Sequence, residues 1–406
     1  MGSDKKQVLS SRLHSILHSA RSLPHLVHIT TVAESLRFLR GQPDSLRNRG
    51  FHVEAITSPG PLVEPMSEEL GISIHTVEMP RKITPLRDLL ALYKTTELLR
   101  ALSPDIVHAH TPKGGLLGVI AASLAGVPIR FYHMRGLPME TATGWKYHLL
   151  RTTETISCAL AHQVIAVGHS LRHTAIDAAV CPPDKICVLA NGSGQGVDAK
   201  ERFNPERFDA RHREVLRNQL GIPLDATVVG FVGRLVADKG INELTEAWQR
   251  LRNRYADAHL VLIGPFEERD PVPNSTRQIL EEDSQTHLLG TRDDVDALYC
   301  IMDVLVLPTH REGFPNVPLE AAAMELPVVA SDIPACLEAV QANETGLHFA
   351  TGDAQALART LSRYLDDPDL RRRHGRAGRK RAVESFAPHL IQGELAALYD
   401  QWTKIN

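Results

Sequence analysis

The sequence has few cysteines, few aromatic residues and almost no net charge. Its five cysteines stand singly, without a Cys-x-x-Cys pair or metal-ligand spacing, which excludes a disulfide scaffold and is typical of a reducing compartment. No apolar run reaches the ~18 residues that a transmembrane helix needs, and no signal-type apolar core follows the first six residues. A formal net charge of -3 gives no reason to expect nucleic-acid binding. We therefore expect a cytoplasmic protein.

What the sequence does contain is a regular alternation of short apolar strands and amphipathic helices, repeated in two halves. Such alternation predicts parallel βαβ units, and 406 residues suffice for two domains. We expect two Rossmann-like, doubly wound parallel sheets, at 25–198 and 199–386. An N-terminal extension, 1–24, precedes them, and a last helix within 387–406 crosses back to the first domain.

Glycines mark the predicted junction between the halves. The loop Ala190–Asp198 has its glycines spaced GxGxG with no helix directly after them, so it is not a dinucleotide fingerprint. We interpret it as a hinge. Earlier in the chain, apolar spacing predicts one helix from Ser35 to Arg49, ending at Gly50. Later, Asp294 is expected to cap a helix.

The stretch Glu312–Pro318 follows an apolar strand, 303–307, and leads into a helix expected from Leu319. Ligands of open α/β sheets bind at such carboxyl ends of strands, and free N–H groups at a helix start favour an anion. Two carboxylates, Glu312 and Glu320, flank the turn, and they suit hydroxyl groups. The pattern predicts a ligand with both phosphate and sugar. Two solvated glutamates, or a carboxylate pair for acid–base chemistry, are the alternatives.

A second signal is Gly230–Gly240. A strand ends at Gly233-Arg234, and Lys239 precedes the next helix, so two cations lie at the carboxyl edge of the second sheet. Arginine and lysine there can hold a pyrophosphate as it leaves. The alternative is two surface cations on a loop.

Histidines are frequent, and two of them share one strand. His108 and His110 alternate, so both point to the same face of the sheet, which could suggest a metal. No third ligand has suitable spacing, so we expect packed, hydrogen-bonded histidines and no metal site.

These stretches carry a resemblance. GRLVADKG together with EGFPNVPLE resembles the donor-site signature of the GT-B retaining glycosyltransferases of family four, including its Glu-x7-Glu spacing. The hinge NGSGQGVD and the stretch DIVHAHTPKGGLLG extend the resemblance along the chain. The first domain is most similar to bacterial enzymes that extend undecaprenyl-linked or capsular and O-antigen oligosaccharides. The resemblance implies the GT-B fold, an α/β architecture with two Rossmann-like domains facing across a cleft.

The resemblance also implies roles for residues. The catalytic group would be Arg234, Lys239, Glu312 and His133, with the two cations on the donor phosphates. Donor binding would involve Gly233, Asp294, Val295, Gly313, Phe314, Pro315, Asn316, Val317 and Glu320, the last on the ribose hydroxyls. The family often has a glycine-rich loop after the first strand, which is missing here. The hydroxyls of Thr30, Thr31 and Ser35, or the amino end of helix 35–49, would serve instead. The acceptor-side residues would be Thr30, Thr31 and His110.

The implied activity is transfer of a hexosyl or N-acetylhexosaminyl group, with retention, from a nucleotide diphosphate sugar, with UDP as the expected nucleotide. The acceptor would be a glycan or polyprenyl-linked saccharide in surface polysaccharide biosynthesis. No cofactor or metal is expected, because Arg and Lys neutralise the phosphates. A GT-B UDP-sugar 2-epimerase and a non-catalytic nucleotide-sugar-binding partner subunit are the alternatives.

Membrane association is a separate hypothesis. Residues 5–22 form a candidate amphipathic helix, and Arg81, Lys82 and Arg87 could contact an anionic leaflet. The protein would then be peripheral on the inner face of the membrane. Alternatively, 5–22 packs on its own domain or is a frayed tail.

Overall fold

In a computed structural model of the protein, residues 23–268 and 270–405 are described. The candidate helix 5–22 therefore lies outside the described residues. The described chain forms two compact units. The first takes 23–165, 178–187 and 395–405, and the second takes 166–177, 188–268 and 270–394.

The first unit is built on a seven-stranded sheet in the order β3-β2-β1-β4-β5-β6-β7, and the register of its central strands is parallel. Its strands are β1 His25–Ile29, β2 His52–Thr57, β3 Ser73–Thr76, β4 Ile106–His110, β5 Ile129–Met134, β6 Gln163–Ala166 and β7 Ile186–Val188. Its helices are α1 Gln42–Arg47, α2 Val63–Leu70, α3 Pro85–Leu102, α4 Pro112–Ala125 and α5 Gly144–Leu160.

Helix α4 packs closely on this sheet because glycine lines its inner face. A Cβ on Gly115 would lie 2.2 Å from the Tyr132 ring, and one on Gly118 would lie 2.8 Å from the Ala109 Cβ. Only residues without a side chain allow this approach of helix to sheet. The glycines after Lys113 therefore serve the packing of α4.

The second unit has a six-stranded parallel sheet in the order β10-β9-β8-β11-β12-β13. Its strands are β8 Thr227–Val232, β9 Ala258–Ile263, β10 Thr286–Leu288, β11 Val304–Leu307, β12 Val328–Ser331 and β13 Gly346–Phe349. Its helices are α6 His169–Asp177, α7 Ala210–Gln219, α8 Ile241–Arg252, α9 Asn274–Glu282, α10 Val295–Tyr299, α11 Val317–Ala323, α12 Pro334–Ala339, α13 Ala354–Asp366 and α14 Pro368–Ser385. The expected architecture, two Rossmann-like parallel-sheet domains, is confirmed.

The last helix, α15 Pro388–Ile405, is divided between the units. Its first residues belong to the second unit, and those from Leu395 belong to the first. There Tyr399 is fully buried and packs its ring edge against Phe131 of β5, with centroids 5.1 Å apart. The end of the chain thus completes the core of the first unit.

The prediction of one continuous helix from Ser35 to Arg49 is wrong. The chain forms a 3-10 segment, Ala33–Leu39, and then the separate helix α1, whose preceding residue Gly41 has φ 70°. A glycine in the left-handed conformation ends a helix. Pro43 has no N–H to donate to a preceding helical turn, but it fits well in the first turn of a new helix. The chain therefore breaks at Gly41.

Among the described helices, none combines the length and the apolar character that a membrane span requires.

Candidate functional site

The candidate donor site lies at the carboxyl ends of β8 and β11. These strands are neighbours in the second sheet, with Leu305 opposite Gly230. The strand order reverses between them, since β9 and β10 lie on one side and β12 and β13 on the other. Such a reversal is where open α/β sheets bind ligands. The two predicted turns are therefore brought together by the topology.

The turn after β8 holds the two predicted cations in different ways. Arg234 is exposed, and its guanidinium donates to Glu267 at 2.9 Å. Lys239 ends a 3-10 segment, Ala237–Lys239, and its largely enclosed ammonium is paired with the Glu312 carboxylate. Gly233 (φ 151°) and Gly240 (φ 71°) shape the turn. Both cations thus hold a carboxylate in this structure, which a phosphate would have to displace.

The turn after β11 is fixed from its apolar side. The Phe314 ring is buried, and a Cβ on Gly192 would lie 3.1 Å from it. The Asn316 side-chain oxygen accepts a hydrogen bond of 2.7 Å from the Ser193 hydroxyl. Of the other predicted residues, Gly313 and Val317 are half-buried and Pro315 is buried. The glycine loop from Ala190 therefore supports the donor turn, and its role as a hinge stays a prediction.

Glu320 lies on α11 and is held by a buried tyrosine. The Tyr299 hydroxyl donates to a Glu320 carboxylate oxygen at 2.9 Å, and burial followed by the Glu320 charge raises the pKa of Tyr299 well above its usual value. Tyr299 therefore stays a proton donor, and it orients Glu320. Nothing local in the sequence linked the two residues, since they are 21 positions apart.

Asp294 is not the helix cap that we expected. It occupies the cap position of α10, but its side chain makes no capping hydrogen bond. Instead its carboxylate accepts two hydrogen bonds from Arg292, at 2.6 and 2.8 Å, and this contact lowers the pKa of Asp294. Two charge-assisted hydrogen bonds from Arg292 are stronger than a hydrogen bond from a neutral helix N–H, so the Asp294 carboxylate binds Arg292 instead of capping α10. Val295 follows as the first residue of α10.

In the first unit, four buried histidines lie on β1, β4 and β5, beside the reversal of strand order between β1 and β4. His28 Nδ1 and His110 Nε2 lie 2.9 Å apart, within hydrogen-bonding distance. His108 hydrogen-bonds the Tyr399 hydroxyl, and His133 stacks on His108 with ring centroids 5.3 Å apart. Ligand nitrogens of His28, His108 and His110 lie within 4.8 Å of one another. The sequence missed His28, which supplies the third nitrogen of a metal-like group.

The charge around this histidine cluster favours neutral rings. Burial, above all, lowers the pKa of all four histidines, and that of His28 falls to about 3. The Arg135 guanidinium adds to the lowering in each case, although burial lowers its own pKa to about 9. A metal cation would meet this positive charge and compete with the His28–His110 hydrogen bond. We therefore interpret the cluster as a group of neutral rings. His28, His108 and His110 are hydrogen-bonded in it, whereas neither nitrogen of His133 has a hydrogen-bond partner among the described residues.

Thr30 and Thr31, the predicted acceptor-side hydroxyls, are both buried. The Thr30 hydroxyl lies 3.1 Å from two acceptors for its one hydrogen, the Val32 carbonyl oxygen and the Thr57 hydroxyl oxygen. The Thr31 and Thr111 hydroxyls lie 3.1 Å apart, and a Cβ on Gly114 would lie 3.0 Å from the Thr31 nitrogen. Close backbone approach at this edge thus comes from Gly114, in the turn after β4. The glycine pair in Lys113-Gly-Gly is the sequence signal that could have found this approach.

Family models match both halves of the chain. Residues 212–381 match the family described as "Glycosyl transferases group 1", and residues 36–192 match the "Glycosyl transferase 4-like domain". A relative 33% identical over 380 residues, covering 93% of this chain and 97% of its own, is the capsular polysaccharide biosynthesis glycosyltransferase CapM of Staphylococcus aureus. The chain belongs to this glycosyltransferase family. The resemblance inferred from GRLVADKG and EGFPNVPLE is thereby confirmed.

Two further likenesses bear on this glycosyltransferase. The N,N'-diacetylbacillosaminyl-diphospho-undecaprenol alpha-1,3-N-acetylgalactosaminyltransferase of Campylobacter jejuni is 28% identical over 346 residues, covering 83% of this chain and 88% of its own. The crystal structure of Anabaena Alr3699/HepE in complex with UDP-glucose has a TM-score of 0.76, is 21% identical, and covers 93% of this chain and all of its own. The second likeness shows that the glycosyltransferase has the GT-B fold.

Proposed function

We propose that the enzyme transfers a sugar from a UDP-sugar, with retention of configuration, to a lipid-linked saccharide in surface polysaccharide biosynthesis. The observation that carries the donor side is the adjacency of the two turns, seen in the Lys239–Glu312 ion pair. It brings a cation for phosphate and a carboxylate for sugar hydroxyls to one point of the sheet edge.

Each donor group would have its own partner. The diphosphate replaces carboxylates on Arg234 and Lys239, and the freed Glu312 accepts hydrogen bonds from the transferred sugar. Glu320, oriented by Tyr299, accepts from the ribose hydroxyls. The backbone of Gly313–Val317 completes the sugar and phosphate contacts. Asp294 and Val295 lie beside the base.

The chemistry needs a stabilised leaving group. As the bond between sugar and diphosphate breaks, negative charge grows on the diphosphate, and the two cations stabilise it there. The departing phosphate oxygen takes the proton of the acceptor hydroxyl on the same face of the sugar, which retains the configuration. His133, Thr30, Thr31 and His110 would belong to the acceptor side. No metal is needed, because the positive charge comes from side chains.

Relatives support the acceptor class. The Campylobacter jejuni relative carries diphospho-undecaprenol in its name, and the Staphylococcus aureus relative is named for capsular polysaccharide biosynthesis. We accordingly propose that the enzyme works in the cytoplasm as a peripheral protein on the inner face of the membrane.

A thermal-shift panel tests the donor. A ligand that binds only the folded protein stabilises it by mass action, by about 2.7 kcal/mol at a hundred times its dissociation constant. We expect one UDP-sugar to raise the unfolding temperature more than UDP alone, without divalent cations and with EDTA present. Stabilisation by another nucleotide's sugars, or only with a metal, would contradict this donor.

A transfer assay with that donor and a lipid-linked saccharide tests the reaction. We expect acceptor-dependent release of UDP and an elongated product. Conversion of the donor sugar without acceptor would indicate the 2-epimerase instead, and donor binding without any product would indicate a non-catalytic partner. CapM matches nearly the whole chain and is named as a glycosyltransferase, so this relative favours neither alternative.

A further inference from the structure

Helix α3 (Pro85–Leu102) presents two apolar faces, and only one of them is covered. Its buried positions, Ala91, Thr95, Thr96 and Leu99, face its own unit. On the opposite side an exposed row runs along the first three turns at helical spacing. We call it the α3 stripe: Leu86, Leu89, Leu90 and Tyr93, with 83%, 63%, 52% and 63% of their surface exposed.

The α3 stripe is a contiguous surface, unlike the single exposed apolar residues that are normal on proteins. Ile83, also exposed, extends it into the preceding loop. It ends where Glu97 and Arg100 form an ion pair at 2.5 Å. Contiguous apolar patches of this kind mark a partner or a membrane.

The charges bordering the stripe are mainly positive. Arg81, Lys82, Arg87 and Lys94 are all exposed. Each nearby acid is matched by one cation, since Asp88 pairs with Lys113 at 2.7 Å and Glu78 lies 3.9 Å from Arg87. Arg81, Lys82 and Lys94 are therefore in excess at this border. An apolar helical face with a basic border is the arrangement that lies in the interface of an anionic bilayer.

An aromatic residue on a neighbouring helix strengthens this interpretation. Helices α3 and α5 both pack on α4, and in a parallel sheet all three begin at the carboxyl edge of the strands. Trp145, in the first turn of α5, is 75% exposed. Tryptophan and tyrosine prefer the headgroup level of membranes. Trp145 therefore lies at the same edge of the unit as the start of the α3 stripe.

We propose that the α3 stripe inserts into an anionic lipid surface, with Arg81, Lys82 and Arg87 on the headgroups. The proposal rests on the proposed function, because docking there places the carboxyl edge of the first sheet, with Thr31 and His110, beside a lipid-linked acceptor. It adds to that function the surface through which the enzyme reaches its substrate.

Two other occupants fit less well. A second copy meeting the stripe symmetrically would set the same cations against each other, which like-charge repulsion opposes. Residues 1–22 bring apolar positions such as Leu9 and Leu13, but also Lys5, Lys6 and Arg12, against an already basic border. Anionic lipid is the occupant that complements both the apolar row and its charge.

Flotation of the full chain with vesicles of phosphatidylcholine and phosphatidylglycerol tests the proposal. The double variant Leu86→Ser/Leu90→Ser should bind at least roughly tenfold more weakly, since each substitution removes apolar surface that the lipid would otherwise cover. The control Leu124→Ser alters a leucine at the end of α4 that is 57% exposed, close to the exposure of Leu90, and it should bind as the native protein does. Equal flotation of the double variant and the control would overturn the proposal.

Further experiments distinguish a lipid surface from residues 1–22 and from a second copy of the chain as the partner of the α3 stripe. Arg81→Gln/Lys82→Gln should weaken binding to anionic vesicles and its salt dependence, and deletion of residues 1–22 should leave most binding in place. Loss of binding only on that deletion, or a dimer that Leu86→Ser/Leu90→Ser dissociates, would overturn it. The thermal shift by the UDP-sugar should be unchanged in the double variant. A protein that floats but shows no donor shift would contradict the proposed function alone.

Discussion

Arg234 and Arg254 are both exposed arginines of the second unit, and each pairs with one carboxylate, at 2.9 and 2.8 Å. Only Arg234 follows β8 at the reversal of strand order. Arg234→Ala should lower kcat by ~10²-fold, as loss of a positioned charge stabiliser does, whereas Arg254→Ala should leave kcat unchanged. Steady-state release of UDP measures both. Near-normal turnover of Arg234→Ala would remove it from the catalytic group.

Tyr299 offers a test of Glu320. Tyr299→Phe deletes one hydrogen bond to a carboxylate that binds the donor in the ground state and transition state alike, so the KM for donor should rise roughly tenfold with kcat nearly unchanged. Tyr364→Phe is the control, because that buried hydroxyl is 2.7 Å from His374 instead. A fall in kcat with unchanged KM would show that Glu320 acts in the chemical step.

The turn from β8 to α8 depends on Gly240. Its φ is 71°, and a Cβ there would lie 1.9 Å from the Pro308 carbonyl oxygen. Gly221 has nearly the same φ, 69°, with open space around it. Gly221→Ala should therefore cost only the left-handed backbone strain of about 1–2 kcal/mol. Gly240→Ala should cost at least about 2 kcal/mol more, because the turn must also move.

Urea unfolding of both glycine variants measures the difference, and the Gly240→Ala enzyme should also lose donor-induced thermal shift. If the two variants unfolded alike, the contact between the β8 and β11 turns would not be tight. The comparison keeps backbone strain constant, so it isolates the packing of the two turns against each other.

At the scale of single strands and helices, the strands and the turns that follow them could be predicted well, because each depends on neighbours in the chain. The strand-turn-helix order around Arg234, Lys239, Glu312 and Glu320 is enough to propose them as site residues, and their roles stay predictions. Their hydrogen-bond partners cannot be read from that order. The Lys239–Glu312 pair spans 73 positions and the His28–His110 bond spans 82, and such contacts follow from sheet order, which a single sequence does not state.

Helices with weak apolar periodicity escaped prediction for a related reason. Helix α7, Ala210–Gln219, has a single buried residue, Arg217, whose guanidinium donates to the Ala226 and Ile301 carbonyls. An arginine as the anchor of a helix gives no hydrophobic pattern to detect. Tertiary hydrogen bonds, not amphipathicity, fix this element.

For the whole molecule, the histidine cluster predicts a loss of stability in acid. In the unfolded chain each histidine titrates near 6.5, whereas in the folded protein the pKa of His28, His108, His110 and His133 is lowered. Above pH 6.5 both states are neutral, and the folded state keeps its full stability. Below it the unfolded state binds more protons, so each histidine removes about 1.4 kcal/mol per pH unit, down to about pH 3 for His28.

Urea unfolding between pH 7.5 and about 5 measures this slope. Replacing one ring by a neutral amide, as in His28→Gln, should keep the hydrogen bond to His110. It should also lower the slope by about 1.4 kcal/mol per pH unit, which is the contribution of one proton. A pH-independent free energy of unfolding would show that the rings protonate as readily in the folded protein, and so that the cluster is open to water or holds a counter-anion.

Helix α15 carries a consequence for how the chain is made. Leu395 and Tyr399 lie in the core of the first unit, yet they are translated only after residues 188–394 of the second unit. The first unit therefore lacks part of its interior until these two residues have been made, although most of its sequence is translated first. An expressed fragment that stops at residue 187 would leave the face of His108 and Phe131 uncovered, and circular permutants that bring this helix to the front should fold sooner during translation.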